Sequence, residues 1–262
     1  MHMPFASLSA YREKPIPTPT SARGYRALPI LFDGAANSEP LVRAADHGIA
    51  GRNYYASPRN PPYYASVPGA LDDIIVRESV AKKLATINAK LAEADLELFL
   101  FDGWRPQAVQ TYFHDVWLPA EIKRRKPDIS ADELFAEVET YWSAPTIDAH
   151  GPSPHATGAA IDLTLRWRDG DQLWMGSLFD DASPLAHTPR FETHVAEFSF
   201  SDDEARANRR LLYWLMVEAG FASNPTEWWH FSYGDQMWAK LLGKPKALYA
   251  GADYAERQPP ES

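Results

Sequence analysis

Cysteine is absent from the 262 residues, which excludes disulfide staples, thiolate metal sites, iron–sulfur clusters and a cysteine nucleophile. Any metal ion must then be held by His, Asp or Glu. Positive charge is scarce: 26 Lys and Arg stand against 35 Asp and Glu, a formal charge of -9. A protein that tracks nucleic-acid phosphates needs a basic footprint, so no nucleic-acid partner is expected, and an anionic membrane surface is disfavoured on the same ground. Long apolar runs are missing too. Nothing approaches 18 uninterrupted apolar residues, and the opening residues show no cationic stretch followed by an apolar one. Together these absences predict a soluble, cytoplasmic chain with no membrane partner.

What the chain does have is apolar matter, 45% hydrophobic and 13% aromatic residues, enough for one sizeable core. Proline is enriched, 22 of 262 residues, roughly 8% against a usual ~5%. It gathers in the first 70 residues and in the last few. The expected division is therefore an extended N-terminal arm over 1–25, one catalytic domain over 26–249 and a tail over 250–262.

Regular periodicity begins after residue 71. Val80, Leu84, Ile87 and Leu91 recur at intervals of four and three, which predicts an amphipathic helix over 78–93. LELFLFD at 96–102 reads as a buried strand that stops at Gly103 and delivers Trp104, Arg105 and Pro106 to a strand end, where a rigid scaffold presents functional side chains. A second helix is expected from Pro106 to about Trp117, and a third from a capping box at Ser130–Glu133 to about Trp142. AAIDLTLRW at 159–167 predicts a strand with Ile161, Leu163 and Leu165 on one face and Asp162 and Thr164 on a polar one. A second capping box, Ser201–Glu204, opens a helix to about Ala219, with Gly220 as its stop. A last strand over 227–233 and a terminal helix over 235–242 complete the pattern. Helices and strands are mixed without regular βαβ alternation, which argues for an α+β fold.

Two of the eight histidines stand in chemically suggestive company. His155 precedes by seven residues Asp162, a carboxylate in an otherwise apolar strand that must be paired, solvated or bound to a cation. His230 lies in PTEWWHFSYG, where bulky aromatic walls enclose it together with Glu227. Burial there is expected to raise the Glu227 pKa and to favour a neutral imidazole. His155, Asp162 and His230 would supply three ligands and leave a fourth position open, the arrangement of a catalytic zinc. Glu227 could then move the proton of an activated water, with Arg105 stabilising the oxyanion of an amide hydrolase. Other roles compete: stacking on Trp104 or pairing with Asp102 for Arg105, pairing with Arg166 or Arg168 for Asp162, and a surface ion pair for Glu227. Glu227 and His230 would also face opposite sides of a regular strand, so the segment must bend or bulge.

In order and context, DGWRP at 102–106, SPHATGAAIDLTL at 153–165, MGSLFD at 175–180 and EWWHF at 227–231 resemble the motifs of VanX-type D-alanyl-D-alanine dipeptidases. These belong to a zinc peptidase superfamily that also holds D,D-carboxypeptidases and Hedgehog-like folds. The likeness runs over roughly 50–245, with Pro154 in place of a small polar residue and Trp104 in place of a tyrosine. It implies a mixed, mainly antiparallel central sheet flanked by helices, and one Zn2+ per chain held by His155, Asp162 and His230. Glu227 becomes the catalytic base, Arg105 the transition-state cation, and Ser153, Asp180 and Tyr55 the groups near the substrate's ammonium end. The expected reaction is hydrolysis of the small dipeptide D-Ala-D-Ala to two D-alanines. A D,D-carboxypeptidase acting on peptidoglycan stems is the nearest alternative. A non-catalytic zinc-stabilised binding module is another, although neither Glu227 nor Arg105 would be needed to hold a metal.

Overall fold

In the computed structural model, which describes residues 6–142, 144–146, 148–193 and 197–254, the strands are β1 (Leu41–Arg43), β2 (Ala50–Gly51), β3 (Ile75–Arg77), β4 (Leu96–Asp102), β5 (Ala160–Trp167), β6 (Ala222–Ser223) and β7 (His230–Ser232). The α-helices are α1 (Ser9–Glu13), α2 (Glu78–Leu91), α3 (Gln107–Thr111), α4 (Leu118–Arg125), α5 (Ala131–Tyr141), α6 (Phe200–Glu218) and α7 (Gln236–Leu241). Residues 1–5 of the expected arm and 255–262 of the expected tail lie outside the described residues. Among those described, no helix is long and apolar enough to cross a membrane.

The central sheet has the order β2-β4-β5-β7-β6. β2 runs parallel to β4 and every other pairing is antiparallel, so the fold is α+β with a mixed, mainly antiparallel sheet. Leu96, Leu98 and Leu100 of β4 and Ile161, Leu163 and Leu165 of β5 are fully buried. The alternation of period two thus puts both strands' apolar faces into one core. α2 lays its stripe of Val80, Leu84, Ile87 and Leu91 into that core and packs on β4. The face of β5 that carries Asp162 and Thr164 is buried as well. Asp162 on that face lines the site cavity rather than meeting bulk water.

Several boundaries depart from expectation. The helix after Pro106 does not end near Trp117 but continues through a π-helical stretch, Tyr112–Trp117, into α4. The α5 capping box forms as predicted on Ser130 and Glu133. That of α6 uses Ser199 and Asp202 instead of Ser201 and Glu204. Both pairs satisfy the same spacing, and the helix starts at the earlier one. β7 begins only at His230. The arm is not wholly extended: α1 packs on α6, flanked by the buried Leu8 and Ile16, with Arg12 bonded to Asn208 and Glu204.

At the end of β4 the chain passes tightly under β3: Trp104 N–H donates to the Ile75 carbonyl at 2.6 Å. A Cβ on Gly103 would collide with that carbonyl oxygen and come within 3.0 Å of Ile74 and Val76 side-chain carbons. Gly103→Ala should therefore cost about 2 kcal/mol or more through overpacking, read as a lowered midpoint in thermal or urea unfolding.

Candidate active site

Strand register assembles the polar centre. Asp102 pairs with Asp162 across β4 and β5, beyond a bulge after Leu100, and Asp162 pairs with His230 across β5 and β7. Bulges re-aim side chains at sheet ends, and here three polar residues stand in one row. His155 joins them from a short 3-10 turn, Pro154–Thr157, that Gly158 ends in a left-handed conformation.

His155 Nδ1 lies 2.8 Å from the Gly103 carbonyl. A carbonyl can only accept, so Nδ1 carries the hydrogen and Nε2 presents its lone pair inward. His230 places Nε2 3.3 Å from Ser232 Oγ and turns Nδ1 to the same point. The two inward nitrogens are 3.1 Å apart. Asp162 Oδ2 is 3.3 Å from His155 Nε2, and its Oδ1 is 3.1 Å from His230 Nδ1 yet makes no directed hydrogen bond. All three donors lie within 4.8 Å of one another and are buried. Two imidazole nitrogens facing each other at 3.1 Å beside a buried carboxylate, whose Oδ1 lacks a directed hydrogen bond, are a donor set suited to a cation, so these residues fit a divalent ion such as zinc.

Electrostatics at the centre only partly follow expectation. Burial pushes Glu227 up to about 7, with Asp162 adding to the rise and His230 and Arg105 opposing it. His230, expected neutral, is instead raised: burial alone would lower it, but Asp162 and Glu227 outweigh that. A proton and a divalent cation compete for the same lone pair. Asp162 is held far below the usual carboxylate range, since His155 and His230 overcome the opposing effect of burial.

The spacing objection to Glu227 and His230 is met by a turn. His230 N–H donates to the Glu227 carbonyl at 3.2 Å, so Glu227 precedes β7 and both side chains reach one side. Its Oε2 lies 3.7 Å from His230 Nδ1 and accepts from Asn224 Nδ2 at 2.7 Å. It forms no surface ion pair with a Lys or Arg among the described residues.

Arg105 is buried and pinned on every side. Nε donates to Asp102 Oδ2 at 2.7 Å, Nη1 to Gln110 at 2.9 Å, and Nη2 to Tyr55 at 3.3 Å and Asp162 at 3.2 Å. Its guanidinium lies over the Tyr55 and Trp142 rings. Trp104 turns away, donating to the Ala252 carbonyl. Of the competing roles, pairing with Asp102 holds and stacking on Trp104 does not. Asp162 takes Arg105 as its partner, leaving Arg166 to Glu97.

Asp180 closes one end of the centre. It adopts φ 58, rare for a non-glycine residue, and its Oδ2 accepts from both Tyr55 and Tyr63, at 2.9 and 2.8 Å. Burial drives its carboxyl well above the usual range. Ser153, buried, lines the same cavity of about 590 Å³ as His155, Asp180 and Glu227. Sequence reasoning missed Tyr63, Gln110 and Asn224. Tyr63 sits in a proline-rich stretch without periodicity, and the two amides carry no motif.

A mixed sheet that gathers two imidazoles and a carboxylate around one point, with an acid and a guanidinium alongside, has the layout of a metal-dependent hydrolase. Residues 47–246 match the peptidase M15 family model described as D-Ala-D-Ala dipeptidase. The chain belongs to that family of metallopeptidases. A Synechocystis sp. protein named D-alanyl-D-alanine dipeptidase is 34% identical, covering 84% of this chain and 90% of its own. An Enterococcus faecalis protein of the same name is 30% identical over 62% of this chain and 75% of its own. Among solved structures, VanYB in complex with D-alanine-D-alanine aligns at a TM-score of 0.39 and 16% identity, over 75% of this chain and 92% of its own, a likeness too distant to bear on the site.

Proposed function

We propose that the chain hydrolyses free D-Ala-D-Ala to two D-alanines, with one zinc ion held by His155, Asp162 and His230. A divalent ion at that point supplies a Lewis acid and an activated water. Asp180, with Tyr55 and Tyr63 behind it, offers carboxyl oxygens to the dipeptide's ammonium, whose positive charge would itself draw the buried, raised-pKa group into its ionised form, and Ser153 borders the bound substrate. Arg105, immobilised by Asp102 and Gln110, places a fixed positive charge where an oxyanion develops. Glu227, poised near neutrality, takes a proton from water and passes it to the leaving amine.

The observation that carries the dipeptide reading is the wall behind Asp180, whose Oδ2 accepts from Tyr55 and Tyr63 at 2.9 and 2.8 Å. Those two hydroxyls occupy the carboxyl's far side, where a stem peptide continuing past its penultimate residue would have to pass. Such an arrangement supports a dipeptidase over a carboxypeptidase.

The test is amino-acid release by the purified protein from D-Ala-D-Ala and from an N-acylated D-Ala-D-Ala, before and after chelation and zinc restoration. Release from the free dipeptide only, lost with chelator and regained with zinc, is the expected outcome. Preference for the blocked peptide would favour the carboxypeptidase, and chelator-resistant turnover would remove the metal from the reaction.

A further inference from the structure

A dipeptide is a zwitterion, and the site described so far accounts for only its positive end. The other end needs a cation. Three arginines line the cavity: Arg23, Arg26 and Arg105. Arg105 is already committed to Asp102, Gln110, Tyr55 and Asp162. Arg23 is exposed, whereas Arg26 is half-buried and held in place.

Arg26 comes from the N-terminal segment 21–26, well ahead of residue 47, where the match to the family begins. The segment nevertheless forms one wall of the cavity, facing residues of α5. Its backbone is anchored by Gln236, a buried residue at the start of α7, whose Nε2 donates to the carbonyls of Arg26, Leu28 and His150 at 3.0, 2.6 and 2.8 Å. The aliphatic stem of Arg26 packs beside Gly151, with Cβ, Cγ and Cδ 3.7–3.9 Å from where a Cβ there would sit. Gly151 is two residues before Ser153 and four before His155, so the stem is held beside the metal-ligating loop. One Nη of Arg26 donates to the Ala144 carbonyl. Its Nε has no partner among the described residues and is shielded as the side chain stands, an expensive state for a guanidinium N–H that a turn of the fork toward an anionic ligand in the cavity would relieve.

We propose that Arg26 is a specificity-determining residue that binds the substrate's free carboxylate, so that the N-terminal segment reads the end of the dipeptide opposite Asp180. This rests on the dipeptide reading above. A planar fork with an unsatisfied donor is suited to a carboxylate. The consequence is selectivity for a free C-terminus: an amide or an extended C-terminus loses the ionic contact.

The test is calorimetric binding of D-Ala-D-Ala and of its C-terminal amide to the zinc-loaded protein, in a Glu227→Gln background that prevents turnover. The expected result is that the Arg26 protein prefers the acid over the amide. Arg26→Met should weaken binding of the acid by about 10–100-fold, the range for a hydrogen bond to a charged group, and leave the amide unchanged. Arg26→Lys should restore part of the preference. Zinc content and melting temperature, measured on each variant, separate this from misfolding. An acid-to-amide ratio unaltered by Arg26→Met overturns the assignment while the dipeptidase reading stands on its own turnover assay. Failure of the parent to bind or cleave the dipeptide sinks that reading first, and the assignment with it.

Discussion

Glu227→Gln should lower kcat for D-Ala-D-Ala by about 10²–10⁴-fold, the usual contribution of a positioned acid–base group, with zinc content unchanged. The substitution keeps the shape and the Asn224 contact at 2.7 Å and removes the ability to accept a proton. Because Glu227 Oε2 stands 3.7 Å from His230 Nδ1, outside the three-donor cluster, metal retention is the informative control. Steady-state kinetics with metal analysis on the same preparation decide the matter. Turnover equal to the parent's would remove Glu227 from the proposed chemistry; loss of zinc along with activity would make it a ligand instead.

Arg105→Met has the second large effect, and it falls on stability as well as rate. Asp102 and Asp162 are both almost wholly buried, and Arg105 contacts each of them. Removing one partner from such a cluster leaves carboxylates uncompensated in a poor solvent, a cost of about 3–5 kcal/mol. Bound zinc would recover part of that by neutralising Asp162, so the drop in unfolding midpoint should be larger in the metal-free protein. Turnover of the folded, zinc-loaded variant should fall by about 10²–10³-fold, the scale of losing one oxyanion-stabilising group. Arg105→Lys should recover stability better than rate, because an ammonium keeps the charge but cannot hold Asp102, Gln110 and Asp162 together in one planar fork. A variant as stable and as active as the parent would show that the guanidinium is dispensable in both capacities.

Much of the scaffold was legible because its signals are local. The 3.6-residue stripe of α2 and the period-two run of β4 each bury what their spacing says they should, and the Ser130 box caps α5 as read. Where two readings had equal local support, sequence could not choose. Ser199 and Ser201 each stand three residues before an acid, and the structure uses the first. Nor did the opposing face of β5 announce that it was buried, since an aspartate and a threonine alternating with aliphatics look the same beside water as beside a polar cavity.

The candidate site divides along the same line. Residue types alone determined that a cysteine-free chain must use imidazole and carboxylate donors, and they singled out His155, Asp162, Glu227, His230 and Arg105 for their chemistry. Whether these groups meet was decided by the tertiary structure, through the bulge in β4, the Asp102–Asp162–His230 row and the turn that swings Glu227 to the His230 side. So were the tyrosine pair behind Asp180 and the wall formed by residues 21–26. The physical reason is that local spacing sets which way a side chain points along its own element, whereas register between distant strands and the docking of loops arise only when separate stretches of chain bury their apolar faces together.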